Sequence, residues 1–203
     1  MARTVEYYEE NADELSRRYE SAALDSLHRL LNETFRPDTK LLEIGCGSGR
    51  DAARLTAAGY DVIATDGSQN LLREAKKLHP ELADRLLHVR LPATLPFADH
   101  SIGGFFSIAC LMHFCDTELA AILSELARVT RKSGKGVVSV PAGRNDIDGD
   151  CLDQHGRHFN IMPAEAWQAF FNHHGFSSEA GPPEPDSLGR EGISWVTFIL
   201  TRF

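Results

Sequence analysis

Lys40-Leu41-Leu42-Glu43-Ile44-Gly45-Cys46-Gly47-Ser48-Gly49-Arg50 reads as a buried strand that runs past an acid and breaks into three alternating glycines. A side chain at Gly45, Gly47 or Gly49 would hinder a positive φ or stand between the main chain and whatever lies against it. The stretch therefore predicts a turn built for backbone contact with a ligand. Its place is the carboxyl end of a first strand, where open α/β sheets bind nucleotides.

Working outward, Val62-Ile63-Ala64-Thr65-Asp66 is a second short apolar strand ending on an acid. Asp66 stands 21 positions after Gly45, close to the ~20-residue offset at which a carboxylate accepts hydrogen bonds from ribose hydroxyls. Between the strands, Ala52, Ala53 and Leu55 recur at helical spacing over Arg50 to Ala58, and Gly59 supplies a stop. The result is one βαβ unit for a ribose-bearing ligand. A dinucleotide fingerprint requires a small sixth residue, but here it is Arg50. Glu43 and Asp66 would both flank a pyrophosphate unfavourably, whereas a sulfonium carrying an ammonium group tolerates two carboxylates.

With these residues in place, the chain resembles the class I methyltransferases that use S-adenosylmethionine. Glu43 to Gly49 is similar to their first motif and Ala64-Thr65-Asp66-Gly67-Ser68 to their second. Leu95-Pro96-Phe97, Leu111-Met112-His113 and the stretch Leu126 to Val140 continue the likeness, which covers roughly residues 40 to 141. The resemblance implies an α/β fold, a Rossmann-like doubly wound sheet, mostly parallel with an antiparallel C-terminal hairpin strand. It also implies a single domain over 1–203, comprising cap helices (1–36), a cofactor-binding core (40–141), a substrate lid insert and helix (142–175) and a strand hairpin (176–203). S-adenosylmethionine is the implied cofactor, with Tyr8, Glu43, Gly45, Cys46, Gly47, Arg50, Asp66, Gly67, Ser68, Leu91, Pro92, Ile108, Ala109 and Met112 as its contacts. Leu91 and Pro92 depart from the family, whose members often place an acid and a small residue there to meet the adenine edge. Leucine cannot accept a hydrogen bond and proline has no N–H to donate.

Composition narrows the partners. The 203 residues, 42% hydrophobic, suffice for a substantial core, and no apolar run approaches the ~20 residues of a membrane span. A net charge of −8 spread along the chain disfavours a phosphate-tracking surface, so nucleic acid is not expected and a small-molecule substrate is. Arg128, Arg131, Lys132 and Lys135 close a helix and turn, where cations suit the carbonyl end of the dipole. The amino terminus shows no secretory pattern, and Cys46, Cys110, Cys115 and Cys151 form no disulfide framework, so a cytoplasmic setting is expected.

Elsewhere the pattern predicts two amphipathic helices before the first strand, on the stripes Tyr8-Ala12-Leu15-Tyr19 and Leu24-Leu27-Leu30-Leu31. Ser68 is read as a helix N-cap, Leu86 to Arg90 as a strand and Ile102 to Ala109 as the next one. Asp116 is read as capping a helix that stops at Gly134, followed by a strand Val137 to Val140 ended by Pro141. Ser194 to Leu200 follows a turn with no intervening helix and should return antiparallel.

For the chemistry, transfer from a sulfonium asks mainly for alignment and exclusion of water, so a strong base is not obligatory. His113 is the candidate catalytic residue, standing after the fourth strand. Arg157 and His158, in the insert from Asn145 to Phe159, are the candidate substrate contacts, with Arg157 read as available for an anion. Cys151, Asp153, His155 and His158 lack metal-ligand spacing, and no metal is expected. Two other readings stay open on the sequence: a non-catalytic S-adenosylmethionine-binding or regulatory module, and a nicotinamide-dependent oxidoreductase.

Overall fold

The computed structural model describes residues 2–203. Three helices, α1 (Ala2–Glu10), α2 (Ala12–Glu20) and α3 (Asp25–Thr34), precede β1 (Lys40–Ile44), α4 (Arg50–Ala57), β2 (Asp61–Asp66), α5 (Gln69–Leu78) and β3 (Leu86–His88). The second half runs β4 (Ile102–Ile108), α6 (Asp116–Val129), β5 (Thr130–Arg144), α7 (Ala164–His173), β6 (Phe176–Ala180), β7 (Glu184–Pro185) and β8 (Ile193–Arg202). The strands form one sheet in the order β3-β2-β1-β4-β5-β8-β6, with β7 paired to β8. β1 to β5 are parallel, while β8 runs antiparallel to β5, β6 and β7. This is the mostly parallel Rossmann-like sheet with an antiparallel carboxyl end. Its order reverses between β1 and β4, which opens a crevice beyond their carboxyl ends.

The central strands alternate strictly between two apolar layers, as a period of two demands. Leu42, Ile44, Phe105 and Val138 pack with α6 and α7, through Leu119, Leu123, Trp167 and Phe171. Leu41, Phe106 and Val137 face α3 and α4, through Leu27, Leu31 and Leu55. Trp167 and Phe171 are wholly buried, and truncating either would cost about 3–5 kcal/mol. A smaller cluster of Ala12, Leu15 and Leu71, with Tyr7, Tyr8 and Tyr19 against it, lays α1 and α2 over α5.

Several boundaries differ from expectation. Three helices replace the predicted two, because Asn11 breaks the first stripe: its side-chain amide donates to the Tyr7 carbonyl at 2.8 Å, an alternative to helical pairing. The helix through Leu126 ends at Val129, not Gly134, since Thr130 already pairs with Ile102 in the sheet. Its cap is Cys115 rather than Asp116, reciprocated by Glu118. Pro141 lies inside β5 instead of ending it. The last rung shared with β4 is Ile108–Ser139, and the register against β8 shifts just past Pro141, so no ladder bond on the β4 side is forfeited. β3 stops at His88, although the Val89 N–H still donates to the Asp66 carbonyl at 3.0 Å.

Candidate functional site

Where β1 ends, Gly45, Gly47 and Gly49 all have positive φ, +74°, +55° and +82°. The N–H groups of Gly45 and Cys46 donate to the Thr65 carbonyl at 2.8 and 2.9 Å, anchoring the turn to β2. Gly45 also has no room for a side chain, since a Cβ there would lie 2.6 Å from that of Cys110 beyond β4. Asp66 holds the turn from the other side: Oδ2 accepts from Gly47 N–H at 2.9 Å and Oδ1 from Ser68 N–H at 2.8 Å. Burial raises its pKa, and those two donors oppose the rise. A carboxylate offers about four lone-pair sites, so Asp66 keeps acceptor capacity for ligand hydroxyls. Ser68 caps α5, accepting from Leu71 N–H.

The turn forms one end of a cavity of about 560 Å³, a size suited to small molecules. All the expected cofactor contacts line it except Pro92. Val89 and Arg90 join Leu91 in bordering it, because pairing of the β3 extension with β2 sets the main chain of Val89 and Arg90, not the proline, beside Gly67. Arg50 reaches the wall, but its guanidinium forks onto Asp51 at 2.9 and 3.0 Å and donates to the Tyr19 carbonyl, bracing α2 against the turn.

Two unpartnered polar atoms also mark this end. Glu43 is 2% exposed and its Oε2 has no hydrogen-bond partner. Burial, reinforced by the charge of Asp51, holds its pKa well above the usual carboxylate range. Arg18 lines the same cavity and its Nε is buried without a partner. Sequence reasoning passed over Arg18; the available signal was its place three residues after Leu15 on the inward side of α2. A half-buried cation and a buried acid, each with a buried atom short of a bond, suit a ligand carrying both an anion and a cation. Cys110 also faces the space, with burial pushing its thiol up to about 12, so it stays protonated.

Further along the cavity stand Tyr8 and His113. The Tyr8 hydroxyl lies 2.8 Å from His113 Nε2, and His113 Nδ1 lies 2.7 Å from the His158 carbonyl. A carbonyl can only accept, so Nδ1 carries the proton and Nε2 receives that of Tyr8. Burial lowers the His113 pKa to about 3, keeping the ring neutral. Tyr7 packs behind Tyr8, edge-on to it, beneath the Arg157 guanidinium.

The two expected substrate contacts are placed otherwise. Arg157 lines the cavity, but it is not free for an anion, because Nε and Nη2 both donate to Asp153 and Nη1 donates to the Tyr8 oxygen at 3.3 Å. His158 does not line this cavity; it borders a separate hollow with Arg3 and Glu118 and reaches His113 through its carbonyl. Among the described residues no cluster of three or more His, Cys, Asp or Glu could hold a metal ion.

Residues 42–138 match the family model described as a methyltransferase domain. Over that stretch, just under half of the chain, it is similar to the methyltransferase-domain family. The domain is 36% identical over 101 residues to the biotin biosynthesis bifunctional protein BioHC of Cellvibrio japonicus, covering 50% of this chain and 19% of that protein. It is 35% identical over 127 residues to a demethylmenaquinone methyltransferase of Beutenbergia cavernae, covering 62% and 48% respectively. The chain thus spans about half or less of the length of these curated relatives. In fold it is similar to the 1,6-didemethyltoxoflavin-N1-methyltransferase of Burkholderia thailandensis, solved with bound 1,6-didemethyltoxoflavin and S-adenosylhomocysteine. That likeness has a TM-score of 0.80 at 16% identity and covers 99% of this chain and 88% of that one.

Proposed function

We propose that this chain transfers a methyl group from S-adenosylmethionine to a small-molecule acceptor. One observation carries the reading: a single cavity joins the Asp66-tied glycine turn, the unpartnered Arg18 and Glu43, and the neutral Tyr8–His113 pair. The donor set fits the cofactor group by group. Arg18 suits its carboxylate, Glu43 and the turn suit its ammonium, Asp66 suits the ribose hydroxyls, and Gly67 with Leu91 suits the adenine. The face of Tyr8 suits a sulfonium. When bound, the cofactor supplies an electrophilic methyl on a good leaving group.

The chain's own part is alignment and dryness. Tyr8 commits its hydroxyl proton to His113, so toward the cavity it presents oxygen lone pairs. His113 is then a positioning residue, not the general base expected from its place in the sequence, because a ring with a pKa of about 3 takes up a proton poorly near neutrality. Segment 142–175 serves as the substrate lid, supported by Arg144, Arg157 and Phe159 in the cavity wall. Free thiols at all four cysteines suit a reducing cytoplasm, and the acidic net charge suits a partner other than nucleic acid. No helix among the described residues is long and apolar enough to cross a membrane.

Calorimetry with S-adenosylmethionine, S-adenosylhomocysteine and NAD tests the pocket, and mass spectrometry of S-adenosylhomocysteine released with a panel of small acceptors tests the reaction. Heat with the first two ligands and turnover with an acceptor are expected. Saturation by NAD alone would overturn the reading, and binding without turnover across the panel would leave a non-catalytic module.

A further inference from the structure

At the far end of the cavity, two arginines arrive from different parts of the chain. Arg144 closes β5 and lies across from Ile193 at the start of β8. Arg190 ends the turn that leads into β8. Asn145 packs directly over Gly192, which holds the two segments together. Both arginines line the cavity.

Each guanidinium is pinned along the same edge by a local acid. Arg144 donates through Nε and Nη2 to Asp146 at 2.9 and 2.6 Å, and Arg190 through Nε and Nη2 to Asp186 at 3.0 and 2.6 Å. Among the described residues neither Nη1 makes a hydrogen bond, so each fork keeps an end-on edge. The burial of the Arg144 pair is lopsided: its side chain is 2% exposed while that of Asp146 is 46% exposed and lies outside the cavity wall. The cation faces inward and its counter-charge faces water. Asp186 does line the cavity, but it already accepts five bonds, from Leu188, Arg190 (three) and the Trp195 indole. That leaves it no lone pair for a ligand. The remaining acid in this wall, Glu184, is exposed and screened. An ion pair made only for stability at a surface contributes little, which does not account for burying Arg144 with one edge spare.

Two aromatic side chains, Phe159 and Trp195, stand in the surrounding wall. The Arg144 guanidinium lies 4.0 Å from the Phe159 ring centroid, and the hydrogen bond to Asp186 fixes the Trp195 ring. We propose that Arg144 and Arg190 form an oxyanion clamp, and that the methyl acceptor is a small acid whose flat apolar body lies against Trp195. Arg157, the third arginine here, belongs to Asp153 and Tyr8 and takes no part. The clamp rests on the reading of the opposite end as the cofactor site.

Benzoate and its uncharged counterpart benzamide serve as probes, titrated calorimetrically into the protein with and without S-adenosylhomocysteine. Benzoate should bind at least about tenfold more tightly than benzamide, and Arg144→Met and Arg190→Met should each weaken benzoate at least about tenfold. Neither substitution should alter S-adenosylhomocysteine affinity by more than about twofold. Absence of benzoate binding, equal binding of the amide, or indifference of both variants overturns the clamp. Failure of S-adenosylhomocysteine itself to bind removes the cofactor reading, while benzoate binding to the ligand-free protein still decides the clamp. Should Arg144→Met not fold, Arg190→Met decides alone, since its side chain is one-third exposed.

Discussion

The Tyr8 hydroxyl donates to His113 Nε2 across 2.8 Å and 105 residues of chain, joining the first helix to the carboxyl end of the fourth strand. Both residues line the cavity, so the bond fixes which atoms they present to it. Tyr8→Phe would leave a buried imidazole nitrogen without its donor, a loss of about 1–3 kcal/mol. The expected outcome is a fall in kcat for S-adenosylhomocysteine release with cofactor affinity kept within about threefold. Steady-state kinetics beside calorimetry would check it, and an unchanged kcat would reduce Tyr8 to packing.

The His113 pKa of about 3 has a consequence for stability. The folded ring stays neutral while the unfolded one protonates below about 6.5, so the unfolded state binds more protons between these values. Stability from this residue is therefore full above about pH 6.5 and is lost as pH falls toward about 3, with a slope of at most about 1.4 kcal/mol per pH unit. Urea denaturation from pH 7 to pH 4.5 should show His113→Gln with a visibly shallower loss than the parent. Parallel curves would contradict the neutral, buried ring.

Gly45 should tolerate no side chain. Gly45→Ala combines a left-handed φ with a collision against Cys110, and is expected to lower stability by about 1–3 kcal/mol and to abolish S-adenosylhomocysteine binding. Adding Cys110→Gly relieves the collision but not the backbone strain, so thermal melting should recover only in part.

Arg18 and Asp66 should separate by ligand. Arg18→Met is expected to weaken S-adenosylhomocysteine by roughly tenfold to a hundredfold, as for a lost hydrogen bond to a charged group. It should leave 5′-methylthioadenosine, which lacks the carboxylate, unaffected. Asp66→Ala should weaken both ligands by about 1–3 kcal/mol, because ribose is common to them. A variant of Arg18 that weakened both equally would point to a general collapse of the site.

Glu9 latches the first helix. Its carboxylate accepts from Gln69 N–H at 2.7 Å and Asn70 N–H at 2.9 Å, at the amino end of α5. Although burial pushes its pKa up, those donors hold it below the usual value. Glu9→Gln should cost about 0.3–1 kcal/mol and speed hydrogen exchange over residues 2–10 more than over β1. Equal exchange in both variants would show that α1 is held by its tyrosines alone.

The βαβ unit, the glycine turn with Asp66, and the antiparallel return of β8 were legible in the residues themselves. Each depends on interactions of short sequence range: a two-residue period in a strand, a backbone angle that only glycine accepts readily, or a turn too short for a crossover helix. Partner choice among charged and polar groups was not legible. Arg157 reads as a free cation until the turn at Gly156 brings Asp153, four residues earlier, against it and the fold adds Tyr8, and Arg18 draws no notice until α2 lies across the glycine turn. His113 reads as a base until Tyr8 and the His158 carbonyl occupy both of its nitrogens. Arg144 and Arg190 form a pair only because β5 and β8 are neighbours. Backbone geometry is decided within a few residues, whereas the burial of a side chain, and long-range pairings such as Tyr8–His113, are decided by whatever distant segment the sheet order brings against it.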